Sequence, residues 1–198
     1  MNYVYVPYRV NDMDLYAGAL VSIKNKKNKV FGQHKLIARG LSEQPLSVVG
    51  WRDSLYVLIH GSGRATGVGV DMSHHDGEAR HVTGEDFAAR LIGLGLRRTT
   101  IDLRLWTCWG AGKHGDDDRM GPDGQESEPF AMRVARGLAA GGYVNVTVSS
   151  YRKLVNLSVA NLDTFKGHKV LQTSEGENPD FARVTANDRV SYKVANFV

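Results

Sequence analysis

The chain has 198 residues, 42% of them hydrophobic, with 25 Lys or Arg against 21 Asp or Glu and a formal net charge of +4. That length suits a single domain with a sizeable core, and no run reaches the roughly 18–20 apolar residues of a membrane-spanning helix. A single cysteine, Cys108, excludes an internal disulfide and any multi-cysteine zinc site. The opening MNYVYVPYRVND has no basic segment followed by an apolar one, so the expected location is the cytoplasm, or outside the cell without a cleaved signal peptide.

Residues 1–40 are rich in β-formers: YVYVPYRV alternates, GALVSI follows, and KVFGQHKLIA comes after the lysine run. A hairpin at a sheet edge is predicted, because Pro7 has no N–H to give a central ladder. The domain spans 1–198, with 1–45 open to reading as a strand-rich N-terminal extension. The basic run KNKKNK, Lys24 to Lys29, reads as a solvated turn. A single-strand nucleic-acid platform would interleave aromatic residues there, and none is present, so no nucleic-acid partner is expected.

SLYVLI, residues 54–59, is a near-continuous apolar run, as expected of a strand buried on both faces. It ends on His60, and Gly61, Gly63, Gly67 and Gly69 then predict a long loop that continues through DMSHHDGEARH. A helix follows, with Thr83 as N-cap and Asp86 three residues on; Phe87, Leu91 and Leu94 share one face and Gly95 terminates it. IDLRLW, 101–106, is the next strand, with Ile101, Leu103 and Leu105 on one side. Beyond Cys108 lies a glycine- and acid-rich loop. Then comes the helix EPFAMRVARGLAA, with Ser127 as N-cap, Pro129 in the first turn, Phe130, Val134 and Leu138 as its apolar face, and Gly141-Gly142 at its end. YVNVTVSS closes this part, with Val144, Val146 and Val148 on one side. The alternation of strand and helix from 54 to 148 predicts a mostly parallel sheet covered by helices, with SLYVLI and IDLRLW adjacent at its centre. Residues 152–198 read as further short strands: KLVNLSVANL, HKVLQTS, ARVTA and VSYKVANFV.

Two of these apolar strands end alike. LYVLIHGSG delivers His60 and then glycine; IDLRLWTCWGAG delivers Cys108 with glycine two residues on. In an open parallel sheet, ligands bind beyond the carboxyl ends of the strands, so neighbouring strands would present both side chains to one crevice. A thiol with an imidazole in reach is the smallest unit of thiol catalysis: the imidazole takes the thiol proton and later returns a proton to the leaving group. The flanking glycines would admit a substrate backbone and free N–H groups for an oxyanion, Gly61 and the Cys108 amide being the natural donors. A small buried cysteine and a surface histidine are the plain alternatives, and each is common on its own.

An apolar strand then HG, and an apolar strand then Cys, 48 residues apart, resembles the clan CD cysteine peptidases: caspases, gingipains, separase and the self-processing protease domains of bacterial toxins, with the toxin-type domains nearest. EPFAMRVARGLAAGGYVNVTVSS is similar to the segment after the cysteine in the toxin-type members. The resemblance covers about residues 50–150. It implies a caspase-like α/β/α sandwich of three layers around a mostly parallel sheet. It also implies a cysteine endopeptidase acting on protein or peptide substrates, possible origins including a bacterial effector or toxin-related protease. His60 would be general base or acid, Cys108 nucleophile and Gly61 an oxyanion donor. Members often have a small residue before the cysteine, where this chain has Thr107, and Trp109 follows it. Toxin-type members often orient the His with an upstream acid, for which Asp12, Asp14 and Asp53 are the candidates. By the same resemblance Ser149, Ser150 and Tyr151, with Trp106 and Trp109, border the substrate pocket. No cofactor is expected. A deamidase or transglutaminase using the same two residues, and an inactive binding module on the same scaffold, are the other readings.

Other motifs fail on chemistry. GSGRATG has Thr66 where a dinucleotide loop needs glycine, and the phosphate-loop lysine is missing. HHDGEARH offers His74, His75, Asp76, Glu78 and His81, but in a glycine-flanked loop rather than at helical spacing, so a solvated loop is expected and no metal. A calcium loop starting at Asp116 would put Met120 and Ser127 at ligand positions that require, respectively, oxygen and glutamate. The acidic residues Asp116 to Asp118 instead suggest a gate beside Cys108 that favours a basic substrate.

Overall fold

A computed structural model describes residues 2–7, 34–38, 45–61, 67–71, 80–108, 110–111, 128–152, 155–159, 167–172, 181–183 and 186–198. In chain order the strands are β1 (Asn2–Val6), β2 (His34–Ala38), β3 (Ser54–Leu58), β4 (His60–Gly61), β5 (Val68–Asp71), β6 (Arg80–Thr83), β7 (Asp102–Trp106), β8 (Thr147–Tyr151), β9 (Val155–Val159), β10 (Gly167–Gln172), β11 (Phe181–Arg183) and β12 (Arg189–Lys193). Helix α1 runs Gly84–Gly93 and α2 runs Phe130–Ala140.

Six strands form the main sheet in the order β12-β8-β7-β3-β1-β2. The five from β2 to β8 are parallel, and β12 closes the edge antiparallel to β8. The fold is therefore mixed α/β with a mostly parallel sheet. β3 and β7 are its two central strands, as their apolar runs predict. Because paired residues share a face, Tyr3, Tyr5, Leu55, Val57, Leu103, Leu105 and Val148 look one way, into a single core with Phe87, Leu91, Phe130, Val134 and Leu138 of the two helices. Val4, Val6, Tyr56, Leu58, Trp106 and Tyr151 look the other way and are also buried. That burial on both faces is why SLYVLI lacks polar alternation.

Helix α1 is closed at both ends by local chemistry, and α2 at its C-terminal end. The Thr83 side chain accepts from the Asp86 N–H at 3.1 Å, as the N-cap expectation requires. Both C-termini are Schellman motifs. Gly95 N–H donates to Ile92 O and Leu96 N–H to Leu91 O; Gly142 N–H donates to Ala139 O and Tyr143 N–H to Leu138 O. Gly95 and Gly142 sit at φ +84° and +79°, where a side chain would be strained. The Tyr143 hydroxyl donates to Leu96 O and ties the two helix ends together. Close approach of the helices depends on small residues: a Cβ on Gly137 would lie 2.7 Å from the Ala88 Cβ.

Several sequence expectations are corrected. The N-terminal strands are not a hairpin: β1 and β2 pair in parallel and β1 lies inside the sheet, Pro7 following its last residue. The glycine-rich stretch after His60 is not simply a loop, since β4, β5 and β6 form a small antiparallel sheet. Strand β8 starts at Thr147, so Val144 is exposed while Val146 and Val148 are buried; Ile101 likewise precedes β7 and is exposed. Pro129 is the N-cap of α2, and Ser127 lies outside the described residues. At the C-terminal end β9, β10 and β11 make a separate antiparallel sheet. Among the described residues no helix is long and apolar enough to cross a membrane.

Phe130 is the joint of this architecture. It is buried, its ring lies 5.7 Å from that of Phe87, and it reaches the space beside Gly69 of β5. Replacing it with Ala removes a large ring from a packed site, so Phe130→Ala should lower unfolding free energy by about 3–5 kcal/mol, read from urea denaturation followed by circular dichroism.

Candidate functional site

The β3–β7 ladder sets the geometry. Ser54 pairs with Asp102 and each later residue of β3 with its counterpart 48 positions on, up to Leu58 with Trp106. The ladder runs one step further, Ile59 N–H donating to Trp106 O at 3.3 Å. The 48-residue separation of His60 and Cys108 is thus the register offset itself, and both residues leave the sheet at one level on its carboxyl edge. The contact is tight: a Cβ on Gly61 would lie 1.9 Å from Cys108 O and 3.0 Å from Thr107 Oγ1. Only glycine lets the two chain ends approach so closely. His60 and Cys108 are both half-buried.

The turn after the cysteine is anchored on both sides. Ala111 N–H donates to Tyr151 O at 2.9 Å, and Ala131 N–H at the start of α2 donates to Gly110 O at 2.8 Å. Gly110 sits so close to β8 that a Cβ there would lie 2.3 Å from Ser150 Oγ and 2.2 Å from Thr107 Cγ2. Thr107 is buried and fills the space that Gly110 leaves. The bulk of this residue, where a smaller one was expected, is accommodated by glycine on the next turn.

The expected pocket residues divide by strand parity. Trp106 and Tyr151 lie on the sheet face away from α1 and α2, in the last row before His60 and Cys108. Trp106 stacks edge-on against Tyr56 at 5.1 Å. Ser150 falls on the other face. It is fully buried and donates to Leu105 O at 3.0 Å, so it supports the turn from beneath and does not line a pocket. Ser149 shares the Trp106 face one row lower, buried and hydrogen-bonded to Ser191 at 2.9 Å. Trp109, Asp12 and Asp14 lie outside the described residues, as do His74, His75, Asp76, Glu78 and Asp116 to Asp118. Asp53 is excluded as the partner of His60. It precedes β3 and accepts from Gly50 N–H at 2.8 Å, at the opposite end of the strand. At about 3.3 Å per residue, the intervening chain puts it roughly 20 Å away.

Two features escape a linear reading. Ser54, Asp102, Arg104 and Tyr56 form a ladder on the Trp106 face: Ser54 Oγ donates to Asp102 at 2.6 Å, Arg104 pairs with Asp102 at 2.6 Å, and Arg104 donates to the Tyr56 hydroxyl at 2.6 Å. Arg189 of β12 pairs in register with Tyr151, which brings it to the same edge. The alternation in IDLRLW signals the first, since Asp102 and Arg104 fall on one side of the strand. Nothing local signals the second, because β12 reaches β8 across about forty residues. Burial raises the phenol of Tyr56 above its ordinary value of 10.0, opposed by Arg104; burial raises Tyr151 likewise, opposed by Arg189. Among the described residues no group of three or more His, Cys, Asp or Glu side chains is placed to hold a metal ion.

Three outcomes follow from this geometry. Gly61→Ala should slow alkylation of Cys108 by iodoacetamide at least tenfold, with far-ultraviolet circular dichroism retained, because the added methyl must push the cysteine carbonyl away. Ser150→Trp should depress thermal stability and thiol labelling together, since no open space receives the indole. Raised phenol pKa values carry a sign: both tyrosines are neutral in the folded and unfolded chain below about pH 10, and above it the unfolded phenols ionise first. Urea midpoints should therefore hold to about pH 10 and fall above it, and Tyr151→Phe should blunt that fall. Neither the protein-family models nor the curated proteins contain a match to this chain.

Proposed function

We propose that the protein is a cysteine endopeptidase on a caspase-like scaffold, with Cys108 as nucleophile and His60 as its acid–base partner. The observation that carries this reading is the shared level of the two residues at the carboxyl edge of the paired central strands, with Gly61 pressed against the Cys108 backbone. A three-layer α/β/α sandwich is part of the proposal. The steps β3 to β7 and β7 to β8 go one way along the sheet and carry α1 and α2 on one face.

In the proposed reaction the His60 imidazole accepts the Cys108 thiol proton and the thiolate attacks the scissile carbonyl carbon. The oxyanion would take the Gly61 N–H and the Cys108 amide. Collapse breaks the carbon–nitrogen bond, with the imidazolium protonating the leaving amine; water then hydrolyses the thioester. Trp106 and Tyr151 would wall the substrate crevice. A side-chain amide in place of a peptide bond would make the same chemistry a deamidation or transglutamination, and a bacterial effector or toxin-related protease is the biological setting that the resemblance implies.

Iodoacetamide labelling tests the dyad: His60→Ala should slow Cys108 labelling near pH 7 by about tenfold or more, since a thiol with an ordinary pKa near 8.5 is mostly protonated there. Labelling of equal rate in both proteins would leave Cys108 as a buried structural thiol and refute the reading. Mass spectrometry of a proteome incubated with wild type or Cys108→Ala then separates the chemistries: new termini mean cleavage, a gain of about 1 Da means deamidation.

A further inference from the structure

The large exposed apolar side chains of the described residues gather at one end of the molecule: Val48, Trp51, Ile101, Val144 and Val198. Trp51 lies just before β3, Ile101 immediately before β7 and Val144 just before β8, and these three strands are neighbours in the sheet. Val48 belongs to the short turn tied to the end of α1 by the bond from Leu46 N–H to Leu94 O. Because β12 is antiparallel to β8, its last residue Lys193 pairs with Thr147, the first of β8, and Val198 follows one short helical turn later. Three strand spacings, about 14 Å, separate β3 from β12, so these side chains share the amino edge of the sheet. The exposed charge there has one sign, carried by Arg52, Arg97, Arg98 and Lys193. Among the described residues the carboxylates at this edge are Asp53 and Asp102, and both are engaged: Asp53 accepts from Gly50 N–H and Asp102 pairs with Arg104. Glu85, Asp86, Glu128 and Asp188 lie at the opposite end, beside the starts of α1, α2 and β12. Arg52 stacks over the Trp51 ring at 4.2 Å and Arg98 donates to Gly141 O at 3.2 Å, contacts that hold the two guanidiniums without neutralising them.

Single apolar side chains scatter over any protein surface, but a set confined to one end and rimmed by charge of one sign marks a contact surface. We propose that the amino edge of the main sheet docks a partner protein, through an acidic segment of that partner carrying bulky apolar anchors. Trp51 and the aliphatic side chains around it supply the desolvated centre of such a contact, and tryptophan and arginine are the residues that most often carry interface energy. The four cations supply the complementary field that steers an acidic partner and sets its orientation. A second copy of the chain fits poorly, because a two-fold contact would press this cationic edge against itself. A lipid surface also fits less well: Asp53, Asp102 and Asn145 stand among the apolar groups, a mixture that suits the polar contacts of a protein interface and is costly to sink among acyl chains. The surface lies roughly 20 Å along the strands from the carboxyl edge, so an occupant would leave Cys108 open. The inference stands whether or not the chain is a hydrolase.

Peptides selected from an unbiased phage-displayed library on the immobilised full chain test this. The selected peptides should be rich in Asp and Glu, with Leu, Phe or Trp as anchors. Their fluorescein-labelled synthetic forms, followed by fluorescence anisotropy, should bind Trp51→Ala and Arg97→Glu at least about tenfold more weakly than wild type, and should weaken as salt is raised. Thermal midpoints and iodoacetamide labelling of Cys108 should be the same in both variants as in wild type, which separates docking from folding and from the thiol. Selection of neutral or basic peptides, failure to select any, or acidic peptides that keep their affinity for both variants would overturn the proposal. A concentration-dependent dimer that Trp51→Ala dissolves would assign the surface to a second copy of the chain. Trp51-dependent sedimentation with phosphatidylserine vesicles, without acidic-peptide binding, would assign it to lipid. Either result also overturns the acidic protein partner.

Discussion

The parallel pairing of β3 with β7 is the constraint on which the rest depends. Both strands bury their helix-side face, so neither can slip by one residue without turning Leu55, Val57, Leu103 and Leu105 out of that core. A locked register has a consequence at the strand ends: whatever follows Leu58 and Trp106 leaves the sheet side by side. The core therefore fixes the relation between His60 and Cys108 without any bond between them being required for the purpose. Placement of this kind, set by rigid strands, is less exposed to loop motion than placement on loops alone.

Glycine converts that proximity into contact. Gly61 abuts the cysteine carbonyl and Gly110 abuts Ser150 and Thr107, so the turn carrying Cys108 is held between β3, β8 and the start of α2. Ser150, Tyr151 and Ala131 each contribute to this support through backbone or buried side-chain groups. The same packing explains why a residue as large as Thr107 is tolerated before the cysteine: its methyl occupies volume that a side chain at 110 would otherwise fill.

The polar face of the sheet sets a second theme. Asp102 and Arg104 are half-buried and satisfy one another with Ser54 and Tyr56. Such pairs contribute little net stability against apolar alternatives, but removing one partner leaves a costly charge. The ladder holds the Tyr56 ring against Trp106 and engages Arg104, while Arg189 lies beyond Tyr151 on the same face of the sheet. The neutral, buried phenols of Tyr56 and Tyr151 lower the dielectric on this face.

Much of this was legible in the chain before any coordinates. Apolar runs marked β3 and β7, the Thr83 cap and Gly95 bounded α1, and the two strand-end motifs pointed to His60 and Cys108, because these signals are local: hydrophobic period, capping and turn chemistry act over a few residues. The sequence by itself also determined which thiol any covalent chemistry must use, since it has only one. Tertiary structure alone decided that β1 lies inside the sheet, that Asp53 sits at the wrong end of β3, that Ser150 faces the core, and that Arg189 joins the edge. Each of these depends on which distant strand is neighbour to which and in what direction, and pairing between strands is chosen by the joint burial of many side chains far apart in the chain, which no short stretch of residues encodes.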